Sequence, residues 1–219
     1  MSFRSVVVSA GGTREPWDEA RFLGNRSTGR QGCEVARAAV KTGADVILVS
    51  ANVEAALIPP GVTVVEAPTA EDMLRQMSAA AVGADLVVMC AAVADFRPLR
   101  VSGKITRHAE TIPTLQLERT PDVLLNLIKD RRENQTIVGF GALTGNDAQV
   151  REQGRKKALD KGADLLCVNR VGDGYGFATE TNTLIFFDSR GNERGRASGT
   201  KLEVATVMLQ LAGEISQNN

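Results

Sequence analysis

The sequence predicts an α/β protein on a doubly wound, mostly parallel sheet of Rossmann-like type, with an added antiparallel hairpin near the C-terminus. Three observations carry this. Short runs of Val, Ile and Leu alternate with segments whose apolar residues recur at helical spacing. The run DLVVMC at 85–90 is apolar almost throughout, as expected of a central parallel strand covered on both faces. The connections are short and punctuated by Gly, Pro or capping residues.

In order, residues 5–9 form a short Val-rich strand. Residues 29–42 form a helix, with Val35, Ala36, Ala39 and Val40 on one face and Gly43 placed to end it. Strands follow at 45–50 and 62–66. Thr69 stands as N-cap of a helix running to about Val82, which Gly83 closes. After the strand at 85–90, Pro121 takes the first position of another helix, and a strand follows at 136–140. A helix rich in Arg and Lys, about 147–161, leads to the strand ADLLCVN at 163–169. TLIFFD at 183–188, the turn SRGN and the polar run beyond it have the pattern of an antiparallel hairpin. The last helix starts near Thr200, with Glu203 set for a capping box and Leu202, Ala205, Leu209, Ala212 and Ile215 on its buried face. No repeat, low-complexity tract or linker interrupts the chain, so 1–219 reads as a single domain.

Composition narrows the setting. With 219 residues, 43% of them hydrophobic, the chain can bury a sizeable core. Its 26 basic residues offset 26 acidic ones, so no global field draws it to nucleic acid or an anionic membrane, and any anion site must be built locally. Cys33, Cys90 and Cys167 are odd in number and far apart, which argues against disulfides and structural zinc and for a reducing cytoplasm. No leader or membrane-spanning run is evident.

The unusual stretches leave the carboxyl ends of the strands, where ligands bind in open α/β sheets. The first strand is followed by a long polar insert, SAGGTREPWDEARFLGNRSTGRQG at 9–32, where most such folds turn directly into a helix. Its end, Ser27, Thr28 and Gly29, meets a helix N-terminus and serves equally well as helix caps or as phosphate contacts. CAAVADFR at 90–97 and GFGALTG at 139–145 are small and Gly-rich, letting a ligand approach the backbone, and Asp95 adds a charge at the crevice mouth. Neither GxGxxG in its proper place nor GxxxxGK[ST] occurs, which disfavours an ordinary dinucleotide site or a P-loop. By pattern alone Lys157 and Lys161 fit a solvated stripe better than an anion site, Asp95 fits a turn, and Trp17 fits packing or a lid anchor. His108, the sole histidine, reads as a loop residue, which removes His-based triads.

AGGTREPWDEARFLGNRSTGRQG, CAAVADFR, GKI and ADLLCVN, in that order, resemble the phosphopantothenoylcysteine synthetase family over nearly the whole chain. Its members are usually the C-terminal half of a bifunctional coenzyme A biosynthesis protein. The resemblance implies that 4′-phosphopantothenate and CTP form an acyl-cytidylate with loss of pyrophosphate, after which L-cysteine displaces CMP. Resemblance to the bacterial branch implies CTP rather than ATP. Mg²⁺, a homodimer and a flavin-dependent decarboxylase partner are also implied. Carried over residue by residue, Asn25, Arg21 and Lys104 are the catalytic candidates, the first two at the acyl centre and Lys104 on the triphosphate. Cys90, Ala91, Asp95, Pro121, Asp122, Val123, Leu124, Phe140, Lys157 and Lys161 are nucleotide-binding candidates. The 4′-phosphate is expected beside Ser27, Thr28 and Gly29, and no metal ligand is assigned.

Three segments depart from the family pattern. Leu143 stands where GFAAET has a glutamate, Thr106 and Arg107 replace two lysines of KIKK, and Asn169 is followed by Arg170 and Val171 rather than Asp. The expectation is reduced or altered nucleotide preference with activity retained. Because the chain opens at once on a strand, no flavin is expected in it. Two alternatives stand beside the ligase: a non-catalytic nucleotide-binding paralogue and, more remotely, a nucleotide-dependent reductase.

Overall fold

The structure, a computed structural model, describes residues 3–107, 114–172 and 179–218; His108 lies outside them. Along the chain, β1 (Ser5–Gly11) leads into a small antiparallel hairpin of β2 (Arg14–Pro16) and β3 (Phe22–Gly24), then into α1 (Arg30–Lys41). β4 (Asp45–Ala51), β5 (Val62–Glu66), α2 (Ala70–Ala81) and β6 (Leu86–Met89) follow. A second small hairpin pairs β7 (Phe96–Pro98) with β8 (Leu117–Arg119). The chain continues through α3 (Val123–Lys129), β9 (Thr136–Leu143), α4 (Asp147–Lys161), β10 (Leu165–Arg170), β11 (Thr181–Asp188), β12 (Glu193–Thr200) and α5 (Lys201–Asn218).

Among the described residues the main sheet has eight strands in the order β12-β11-β10-β9-β6-β1-β4-β5. The run from β10 to β5 is parallel, and β11 and β12 add antiparallel at one edge. The chain moves outward from β1 to β5 and returns to β6 on the other side of β1. The switch point is therefore between β1 and β6, where the crevice opens. Both faces of the sheet are covered, so the fold class follows the sequence prediction. Val6, Val8, Leu48 and Val88 pack under α1 and α5, while Val7, Val49, Val87 and Ile137 pack under α2 and α3. Leu166, Val168 and Phe187 meet α4 through Val150 and Ala158.

Several elements differ from their sequence patterns for local reasons. β1 runs on to Gly11, because Ala10 and Gly11 still pair with Ser50 and Ala51. Gly11 has φ +96, and a Cβ there would lie 1.9 Å from the Ala51 carbonyl oxygen, so only glycine fits. Pro121 is not the first residue of its helix. Asp122 is the N-cap, its carboxylate accepting the Leu125 N–H at 3.1 Å. The capping box predicted for the last helix is present, with reciprocal bonds of 3.2 and 2.7 Å between Thr200 and Glu203. Its deepest stripe runs through Val204, Ala205, Met208 and Ala212, with Leu202, Leu209 and Ile215 half-buried beside it.

Candidate active-site crevice

The floor of the crevice is backbone laid on backbone. Beyond β1 and β6 the chain continues as a parallel bridge between Gly12 and Ala92, with Ala92 N–H on the Gly11 carbonyl at 2.9 Å and Thr13 N–H on the Ala92 carbonyl at 3.2 Å. Two buried hydroxyls complete it. Ser9 Oγ accepts the N–H groups of Cys90 and Ala91, both at 3.0 Å, and Thr13 Oγ1 accepts that of Ala94 at 2.9 Å. The amides of Cys90 and Ala91 are thus already committed, so contacts from these residues to a ligand fall to their other atoms.

Above the floor is a cavity of about 760 Å³. Ala91 and Asp95 line it from the end of β6, Pro121, Asp122, Val123 and Leu124 from the start of α3, Phe140 from β9, and Lys157 and Lys161 from α4. Asn25 enters from the insert, its side-chain amide donating to the Ala92 carbonyl at 2.9 Å. Lys157 lies along Gly141; a Cβ there would come 3.3 Å from Lys157 Cδ and 3.7 Å from Nζ, a contact the flexible stem meets by a shift of a few tenths of an ångström. Lys161 is ion-paired with Asp122, so one carboxylate both caps α3 and ties down the end of α4. The cavity thus gathers two lysines and two aspartates beside half-buried Phe140, with Lys161 balanced by Asp122.

A smaller cavity of about 120 Å³ adjoins it, the two sharing Ala91, Ala92, Phe140 and Ala142. Ser27, Thr28, Gly29, Arg30 and Gln31 line it from the start of α1, with Cys90, Asn169, Asn182 and Lys201. Capping by Ser27 or Thr28 is not what the structure has. Gly29 is itself the N-cap of α1, at φ +80 with no side-chain cap, and donates its N–H to Ser27 Oγ at 3.3 Å. Burial pushes the Cys90 thiol far above the ordinary range, which keeps it neutral and unsuited to nucleophilic attack.

Arg21 and Lys104 line neither cavity. Arg21 belongs to the hairpin connection, where it is ion-paired with Asp18 and donates to the Ile105 carbonyl at 3.1 Å. Burial alone would raise the Asp18 carboxyl, but N–H bonds from Ala20, Ile105 and Arg21 and the Arg21 guanidinium outweigh it and bring its pKa to about 2. Lys104 is exposed beside Ile105. Trp17 lines a separate cavity with Arg21, Phe22, Leu23, Pro98 and Leu115.

Sequence reasoning missed Ser9, Thr13, Arg119, Thr120 and Lys201. A hydroxyl at the end of an apolar strand was a usable signal for Ser9. Nothing local marks Lys201, which the packing of α5 against α1 brings to Ser27. Among the described residues no cluster of three metal-ligating side chains occurs, and no helix is long and apolar enough to cross a membrane.

Comparison with known proteins decides the family. Residues 1–215 match the DNA/pantothenate metabolism flavoprotein C-terminal domain. The chain belongs to this family. Among relatives of this flavoprotein C-terminal domain, the coenzyme A biosynthesis bifunctional protein CoaBC of Mycobacterium tuberculosis is 42% identical over 210 residues, 93% of this chain and 50% of that protein. CoaBC of Bacillus subtilis is 36% identical over 216 residues, 98% of this chain and 52% of that protein. The chain thus spans about half the length of these relatives. The solved C-terminal domain of a CoaBC superposes with a TM-score of 0.78 at 33% identity, covering 100% of both chains. A Cab2 mutant in complex with phosphopantothenate-cysteine superposes at 0.75 with 17% identity and speaks to the fold alone.

Proposed function

We propose that this chain, read as one domain over 1–219, joins 4′-phosphopantothenate to L-cysteine through an acyl-cytidylate. The observation that carries this reading is the convergence of Asn25, Asp95, residues 121–124, Phe140, Lys157 and Lys161 on one cavity, with Ser27, Thr28 and Gly29 on an adjoining one. The relatives named as coenzyme A biosynthesis proteins support it.

In the first step an oxygen of the substrate carboxylate attacks the α-phosphorus of CTP, and pyrophosphate leaves with the electrons of the broken P–O bond. A carboxylate is otherwise a poor acyl donor, because its leaving group would be oxide. In the second step the cysteine amine attacks the acyl carbon, CMP leaves and the amine gives up a proton. Both reactants of the first step are anions, so cations must offset the charge gathering between them. Lys157 and Lys161 supply this from α4, while Asn25 donates from its amide to the acyl oxygen without competing as a nucleophile. Mg²⁺ would enter on the triphosphate and neutralise phosphate charge. Asp95 suits it, being an exposed cavity carboxylate with no ion pair to a described residue.

Arg21 and Lys104 fit the same chemistry if the segments bearing them close over the crevice. A homodimer is the proposed assembly: Phe22, Phe96, Leu99, Val101, Leu115 and Leu117 are all exposed on the two hairpins and their continuations. The proposed setting is the cytoplasm, with a flavin-dependent decarboxylase as the partner that supplies or consumes neighbouring intermediates.

The test is pyrophosphate and CMP release from 4′-phosphopantothenate, Mg²⁺ and CTP or ATP, with and without cysteine. Cysteine-dependent CMP release with CTP is the expected result. Nucleotide binding without pyrophosphate release would favour the non-catalytic paralogue, a reading to which the position of Arg21 and Lys104 outside both cavities lends support.

A further inference from the structure

The larger cavity holds a third cation beside Lys157 and Lys161. Arg119 lines it from the end of β8, directly across from Phe96 of β7, which lines it too. The Arg119 Cζ lies over the Phe96 ring, 5.6 Å from its centroid. Stacking of this kind occupies one face of the planar guanidinium and leaves the N–H donors along its edge directed outward. Among the described residues no carboxylate pairs with them. The neighbouring arginine on the same two strands is disposed differently: Arg97 is ion-paired with Glu118 at 2.7 Å and Glu71 at 2.8 Å, so the one carboxylate of β8 is committed to it.

Lys161 is likewise committed, to Asp122, which leaves Arg119 and Lys157 as the cavity cations without an ion pair to a described residue. They come from different sides. Lys157 belongs to α4 and lies along Gly141 of β9, whereas the β7–β8 hairpin packs beside β2 and β3, the hairpin that leads into Asn25. The two-step reaction brings in its anions at different times. The triphosphate and the carboxylate of phosphopantothenate enter before activation; by the second step pyrophosphate has left and that carboxylate has become an acyl group. The anion that enters then is the carboxylate of cysteine, borne on the same carbon as the attacking amine. Its cation must therefore stand on the acyl side of the cavity, with Asn25, and be open to solvent, as exposed Arg119 is. Arg21 lines neither cavity and is held by Asp18 and the Ile105 carbonyl.

We infer that Arg119 is a specificity-determining residue that binds the carboxylate of the incoming amino acid, its flat fork held on Phe96 and matched to two oxygens. The inference rests on the proposed ligase function. Arg119 thereby makes the chain select cysteine over the analogue that lacks the carboxylate, 2-aminoethanethiol.

Initial rates of CMP release at varied cysteine and at varied 2-aminoethanethiol, with phosphopantothenate, Mg²⁺ and CTP saturating, test this on wild type, Arg119→Met and Arg119→Lys. Pyrophosphate release before any amine is added reports the first step. Wild type is expected to favour cysteine. Arg119→Met should raise KM for cysteine about 10- to 100-fold, the worth of a hydrogen bond to a charged group, and leave KM for the analogue, KM for CTP and pyrophosphate release as in wild type. Arg119→Lys keeps the charge without the fork and should recover part of the loss, which separates lost recognition from a disturbed hairpin. No preference for cysteine by wild type, native cysteine kinetics in Arg119→Met, an equal loss with both amines, or a raised KM for CTP in place of that for cysteine would overturn the inference while the ligase stands. A wild type that releases no pyrophosphate would overturn the ligase reading and this inference with it.

Discussion

At the scale of single residues, small side chains bring the backbone and the larger side chains of the crevice close together. Gly141 lies against the Lys157 stem, and GFGALTG has glycine at that position where the family commonly has alanine. Lys157→Met should therefore leave the fold intact, since the side chain is half-exposed, and raise KM for the nucleotide about tenfold or more, as measured by initial rates at varied CTP. Asn25 makes a different prediction. Its amide donates to the Ala92 carbonyl, so Asn25→Asp sets a carboxylate against a carbonyl and withdraws the donor proposed for the acyl oxygen. Labelled acyl-cytidylate should still form in this variant but turn over slowly with cysteine; native-rate turnover would remove Asn25 from the second step. These residues were legible through motif resemblance, because each lies in a distinctive local run. Lys201 was not, for the cavity it lines is shared with Ser27 and Gly29 at the far end of the sequence.

Among the elements, the parallel strands and longer helices were legible because burial imposes a period on them. The two small hairpins were not. Strands of three residues are too short to display alternation, and β7 and β8 are separated in sequence by most of the loop that joins them. The first hairpin answers the question of the long insert: it folds back beside β7 and leaves Asn25 at the crevice rather than forming a direct strand-to-helix turn. Asp18 anchors its connection, and its native carboxyl holds a proton less readily than the same group in the unfolded chain. The stabilisation is complete above about pH 4 and is lost as pH falls through about 2. Trp17, the single tryptophan, lies next to this anchor, so its fluorescence should report Asp18→Asn as a loosened hairpin at neutral pH without loss of helical circular dichroism. Elsewhere Asp122→Ala removes the cap of α3 and the Lys161 partner together, and urea denaturation should register a loss of about 1 kcal/mol or more.

For the whole molecule, the sequence foresaw the doubly wound sheet and the antiparallel edge, since both follow from which strands are apolar on two faces. Pattern alone could not foresee which side chains meet across the crevice, because this depends on the strand order that returns β6 to the side of β1; only the family resemblance singled them out. The exposed apolar residues of the hairpins lead to a prediction at this scale: sedimentation should find a dimer, and Phe96→Asp should shift it toward monomer. A sedimenting monomer for the wild type would discard the proposed assembly. The wall common to the two cavities has a last consequence. It consists of Ala91, Ala92, Ala142 and the half-buried ring of Phe140, small side chains and one ring, so the two cavities lie side by side. Under the proposed function, a molecule held by one end in the smaller cavity would be activated in the larger and attacked there without letting go. Such an arrangement needs no tunnel and no transfer between sites. Under the proposed function, a mixed anhydride held in this way would meet the cysteine amine without leaving the crevice.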